Sequence, residues 1–150
     1  MTTLVVVQHT PSPAMQQMLE AVLRGTRNSE LGPLSVVVRA ALSAGPADVL
    51  GADGIIVGAP ANIGYMAGAM KHFLDQIYYP CLEVTVGLPY GVYVHGNDDT
   101  TGALRAIHSI VGGMGWRQVA PDVSVVGAPG KPDLTACEEL GALLGFAAGG

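Results

Sequence analysis

The apolar residues of this chain switch between a strand-like and a helix-like period from one end to the other. Leu4 to Gln8 is a continuous Val-rich run, and Met15, Met18, Leu19, Val22 and Leu23 follow at helical spacing, closed by Gly25. Ser35–Val38 predicts a second strand, Pro46–Leu50 a short helix, and Ile55–Gly58 a third strand after the turn residues Gly51–Gly54. Met66, Met70, Phe73, Leu74 and Ile77 mark a second long helix. Tyr90–Val94 predicts a fourth strand, Ala103–Met114 a third long helix and Val123–Val126 a fifth strand. Leu134, Cys137, Leu140, Leu143 and Leu144 predict a closing helix. Short runs apolar on both faces, each followed by an amphipathic helix, leave one broad solution: a parallel sheet covered by helices on both sides.

The 150 residues are the length of one ordinary domain, and neither a linker nor an internal repeat interrupts them. Right-handed crossovers leave few topologies, led by a three-layer α/β sandwich, flavodoxin-like, with sheet order 2-1-3-4-5, and a truncated Rossmann unit. In both, ligands bind where the strands end, so the loops after strands 1, 3 and 4 are the places to look.

Composition removes other classes. Seven basic against twelve acidic residues, with no basic stripe, disfavour a nucleic-acid partner. No apolar stretch is long enough for a membrane helix, and Met1–Val7, lacking a basic start, reads as a first strand and not as a signal peptide. Cys81 and Cys137 form no CxxC and have no histidine at metal spacing. They read as reduced cysteines of a cytoplasmic protein, with no metal site. G-x-G-x-x-G, G-x-x-x-x-G-K-[ST] and G-x-S-x-G are all absent.

The three loops carry ligand chemistry. In the first, Ser12 suits an N-cap and Pro13 the first helical position. The N–H groups of Ala14 and Met15, the helix dipole and the hydroxyls of Thr10 and Ser12 then make an anion site. In the second, Pro60, Ala61, Asn62, Ile63 and Gly64 are small enough for a flat ligand to approach the backbone, ahead of a helix opening at Tyr65–Met66. In the third, His95, Gly96 and Asn97 precede Asp99 and Thr100, either of which can cap the next helix.

The segment Gly58-Ala59-Pro60-Ala61-Asn62-Ile63-Gly64-Tyr65-Met66-Ala67-Gly68-Ala69-Met70-Lys71-His72-Phe73-Leu74-Asp75-Gln76 resembles the G-x-P-x-x-x-G-x-M-x-x-x-M-K-x-F-[LI]-D signature of flavodoxin-like NAD(P)H-dependent FMN oxidoreductases. These include quinone reductases first named as Trp-repressor-binding proteins. The resemblance spans nearly the whole chain and implies the flavodoxin-like order 2-1-3-4-5. It implies FMN, with phosphate on Thr10, Ser12, Ala14 and Met15. The flavin would lie against Pro60, Ala61, Asn62, Ile63 and Gly64 on one side and Gly96 and Asn97 on the other. Pro11 and Pro13 stand where the family usually has glycine, and Ala61-Asn62-Ile63 stands for a common Thr-Arg-Phe.

The function so implied is transfer of electrons from NAD(P)H through FMN to a quinone or similar small-molecule acceptor. Asn97 would donate to the flavin's N1–C2=O edge and His95 would donate a proton near the ring, or would simply be a hydrogen-bonded buried histidine. Two other readings are a flavodoxin-type one-electron carrier and a flavodoxin-like partner protein that has lost FMN. With 49% hydrophobic and 13% charged residues, the chain is expected to form a homodimer or higher homo-oligomer through Gln76–Leu82, unless Tyr78 and Tyr79 fold back over their own chain. Trp116 is expected to fill a core edge.

Overall fold

Every apolar run read as a buried strand enters one sheet in the computed structural model, which describes all 150 residues. Strand β1 (Thr2–Gln8) lies between β2 (Leu34–Ala40) and β3 (Gly54–Asn62), parallel to both. On the far side of β3 runs β5 (Pro89–Gly96), also parallel, in register Ile55↔Tyr90 to Pro60↔His95. The last position is shared by two short parallel strands on the same edge of β5, β6 (Arg117–Gln118) and β7 (Val123–Val126). Counted as one interrupted strand, they complete the order 2-1-3-4-5.

Alternation along the strands sorts the core into two layers. Val5, Val7, Ile55, Val57, Tyr90, Val92 and Val94 pack beneath α2 (Pro46–Leu50), α3 (Gly68–Cys81) and α4 (Thr101–Gly113). Leu4, Val6, Ile56 and Tyr93 face α1 (Pro13–Thr26) and α5 (Lys131–Gly149) on the other side. Trp116 is buried in the first layer, where its indole N–H donates to Thr85 at 2.9 Å.

Three details depart from the sequence expectation. Gly25 does not stop α1, which continues through Thr26. A methyl group at Gly25 would overlap the Glu138 carbonyl of α5, and one at Gly141 would overlap the Val22 carbonyl of α1. These glycines let the two helices touch backbone to backbone. Tyr65–Met66 is not a helix start but a two-residue strand, β4, antiparallel to the end of β3 (Asn62↔Tyr65). The turn between them, Ile63-Gly64, has φ of 52° and 71°, the positive pair that matches the twist of a two-residue hairpin.

The third departure is the divided edge strand. Four residues separate Gln118 from Val123 where two separate their β5 partners Tyr90 and Tyr93, so the edge chain bulges and pairing stops between β6 and β7, where Pro121 also lacks an N–H to give. Side chains take over at the gap. Gln118 donates to the Ala120 carbonyl and to Asp122, both at 3.0 Å. The Asp122 carboxylate also accepts from His108 Nε2 at 2.9 Å. In the neutral ring this leaves Nδ1 to accept the Tyr90 hydroxyl proton across 2.6 Å. No helix is long and apolar enough to cross a membrane.

Candidate functional site

A cleft of about 360 Å³ opens at the carboxyl edge of the sheet, walled by four segments. They are Pro11–Ala14 after β1, Pro60–Asn62 at the end of β3, His95–Asn97 at the end of β5, and Gly127–Ala128 after β7. A larger hollow of about 710 Å³ adjoins it between the Ala61–Gly64 hairpin and Asn97–Asp99. Three of the four segments were anticipated. Sequence reasoning missed Gly127 and Ala128, although Val126-Gly127-Ala128-Pro129-Gly130 has the same strand-then-glycine pattern as the others.

The first segment is built around a helix start. Ser12 is the N-cap of α1, extended at φ −140° and ψ 159°, and its Oγ accepts from Met15 N–H at 3.2 Å. Pro13 sits in the first turn, and no acidic residue does. The cleft therefore meets the positive end of a 14-residue helix with no carboxylate to cancel it. Ser12 still has a hydroxyl hydrogen to donate, and Ala14 N–H lies in the turn that has no helical acceptor.

Two anticipated donors are spent elsewhere. Met15 is fully buried and its N–H belongs to Ser12. The Thr10 hydroxyl donates to the Gln8 side chain, and Thr10 does not line the cleft. Both are consequences of local geometry, since a capping serine satisfies the third helical N–H first and a threonine two residues from a glutamine finds a nearer acceptor than solvent.

The second segment is rigid. The Ile63-Gly64 tip rests on the first turn of α4, where a methyl group at Gly102 would overlap the Gly64 carbonyl. Ile63 is fully exposed and β-branched, yet held at φ 52°. Such a conformation costs on the order of 1–3 kcal/mol and persists because the hairpin and α4 fix it. The tip presents this apolar side chain beside the open hollow, with Asn62 and Asn97 supplying amides.

The third segment ends the fourth predicted strand two residues later than its apolar run, so His95 and Gly96 belong to β5. His95 is 8% exposed, and its Nε2 donates to the Gly127 carbonyl at 2.7 Å. Gly127 N–H returns a bond to the Gly96 carbonyl at 3.0 Å. This pair of bonds, with Gly127 at φ 80°, fixes the fourth wall to the third. The start of α4 is set by Asp99, whose carboxylate accepts from Thr101 N–H at 2.9 Å. That bond holds its pKa below the ordinary value. Thr100 instead reaches Ser124 on β7 at 2.6 Å.

A hollow of about 350 Å³ at the opposite end of the sheet is lined by Leu31–Leu34 and the end of α5, with Thr2 its only polar side chain. It lacks the convergent polar groups that orient a ligand. No group of three or more His, Cys, Asp or Glu side chains is arranged to hold a metal ion, and Cys81 and Cys137 are free and buried.

The architecture matches solved structures over nearly its whole length. A flavodoxin from the domain Archaea superposes with a TM-score of 0.83 at 19% identity, covering 99% of each chain. The fold is flavodoxin-like. A flavodoxin, WrbA-like protein from Agrobacterium tumefaciens matches this flavodoxin-like chain with a TM-score of 0.78 at 19% identity, over 99% of this chain and 98% of its own. An NADH:FMN oxidoreductase in its apo form gives 0.76 at 16% identity, over 98% and 90%. No protein-family model and no curated protein matches the sequence.

Proposed function

We propose that this protein binds FMN in the carboxyl-edge cleft and is a cytoplasmic NAD(P)H-dependent oxidoreductase that passes electrons to a quinone or a similar small-molecule acceptor. One observation carries the reading: the positive first turn of α1 and two small, flat walls, Pro60–Asn62 and Gly96–Asn97, border a single cleft. That pairing of an anion site with a planar slot suits a ligand that is a phosphate at one end and an aromatic ring system at the other. The residues fit such a group. The walls combine small alanine, glycine and proline residues with the amides of Asn62 and Asn97.

Ser12 hydroxyl and Ala14 N–H would hold the phosphate, and Asn62 and Asn97 the polar edge of the ring. Ile63 would cover its apolar face and exclude water. Bound there, FMN would supply two-electron transfer between a nicotinamide and the acceptor. Neither Arg nor Lys lines the cleft, so the helix terminus carries the anion's charge together with hydrogen bonds.

In the same reading the chain self-associates as a homodimer or higher homo-oligomer. Tyr79, 81% exposed, stands at the end of α3 near exposed Val84 and Val86. Tyr78 instead packs on its own chain, with its hydroxyl against Gly113. Light scattering tests this: a mass near 15.3 kDa at micromolar concentration overturns it.

The test of function is absorbance of purified protein, titration with FMN, then NADH and NADPH oxidation with a quinone. Flavin uptake with turnover is the expected result. Flavin uptake without nicotinamide oxidation indicates a one-electron carrier. Failure to take up FMN overturns the proposal and fits the two N–H groups lost to Pro11 and Pro13.

A further inference from the structure

His95 occupies an unusual position for an imidazole. It is nine-tenths buried, yet it lines the same cleft as the α1 segment Pro11–Ala14. A carbonyl oxygen only accepts, so the bond to Gly127 at 2.7 Å fixes the ring proton on Nε2. No group of the protein takes Nδ1. In the neutral ring Nδ1 is a lone pair. Protonation turns it into a charged donor without disturbing the Gly127 bond.

The first turn of α1 has the opposite problem. It has a helix dipole to offer an anion, but Pro11 and Pro13 remove two N–H groups from the segment, and Ser12 takes a third, that of Met15. The other residues lining the cleft are proline, serine, alanine, asparagine and glycine, with no carboxylate and no other cation from α1, β3, β5 or the loop after β7. Asp98 and Asp99 line the adjoining hollow instead. His9 lies on the β1 side outside the cleft lining.

We propose that His95 is the cationic partner of a phosphate monoester at the α1 terminus, binding it with uptake of one proton at Nδ1. The inference rests on the FMN reading for the identity of the monoester. It makes affinity for the phosphate end depend on pH through a residue of the protein, since a charge-assisted bond exists only in the protonated form of the ring.

The experiment compares FMN with riboflavin, which lacks the phosphate, at pH 6 and pH 8, in the wild type and in His95→Gln. The phosphate itself titrates near pH 6, so the informative quantity is the wild-type change relative to the variant. Wild-type affinity for FMN is expected to fall about tenfold more than the variant's between the two pH values, while riboflavin affinity changes equally in both. An identical FMN profile in wild type and His95→Gln overturns the inference and leaves FMN binding standing. Equal losses for FMN and riboflavin on substitution reduce His95 to a wall support and overturn it too. Should FMN not bind at all, the functional reading falls, and inorganic phosphate followed by the His95 ring resonances decides His95 alone. A phosphate-dependent rise in its protonation supports the site, and unmoved resonances refute it.

Discussion

Tyr93→Phe should stabilise this protein. The Tyr93 side chain is fully buried on the α1/α5 face of β5, and its hydroxyl has no hydrogen-bond partner. The ring lies over Gly58 on the neighbouring strand, where any side chain would overlap it. A desolvated, unpaired hydroxyl costs about 1–3 kcal/mol by protein mutational data. Against this, removing one oxygen leaves a void smaller than a methyl group, worth a few tenths of a kcal/mol on the ~24 cal/mol/Å³ cavity scale. The net expectation is a gain of about 1 kcal/mol, or roughly 2–4 °C in Tm for a domain of this size. Urea unfolding followed by far-UV circular dichroism measures it, with an unchanged slope confirming that only the native state has moved. A loss of about 1 kcal/mol or more would refute the reasoning, because it would mean the hydroxyl is well paired.

Gly141→Ala should cost about 1–3 kcal/mol despite the better helix propensity of alanine, because the new methyl group meets the Val22 carbonyl and must push α1 and α5 apart; thermal unfolding reads it. Ser12→Ala should cost about 1 kcal/mol through the lost cap on Met15 N–H, measured without ligand by denaturant titration. Burial raises the pKa of Tyr93, and it pushes the Cys137 thiol up to about 12 from an ordinary 9.0, with nearby Asp133 adding to the shift. The folded chain therefore keeps protons that the unfolded chain releases, and stability should be full below pH 9 and fall as pH rises from 9 toward 12. Cys137→Ala should flatten that decline in unfolding titrations across the same range.

The sheet's centre was legible because β1, β3 and β5, buried on both faces, leave continuous aliphatic runs, and Pro46–Leu50 was legible because proline and glycine mark its ends. What escaped notice depended on partners distant in sequence. Gly25 reads locally as a helix stop, and only the Glu138 backbone gives it another purpose. The Ile63-Gly64 turn escaped because a β-branched residue is a poor signal for positive φ; the neighbouring α4, not the turn sequence, holds it there. In the cleft, the segments could be read but the hydrogen-bond allegiances of Thr10, Met15 and His95 could not. Each is settled by a competing acceptor or donor within the protein.

The gap at Pro121 also bears on how this chain keeps apart from its neighbours in a crowded solution. An open sheet invites a foreign strand to add to its rim, and a sparsely charged molecule has little repulsion to prevent it. Here one rim carries Arg39, paired with Asp48 at 3.2 Å. The other is cut into pieces of two and four residues whose gap is filled by Gln118, Asp122 and His108. The divided rim presents no long, flat row of free backbone groups, while β2 keeps a seven-residue edge guarded at its charged end. The two extra residues of that gap, with Pro121 beside them, keep the ladder from running on from Arg117 to Val126.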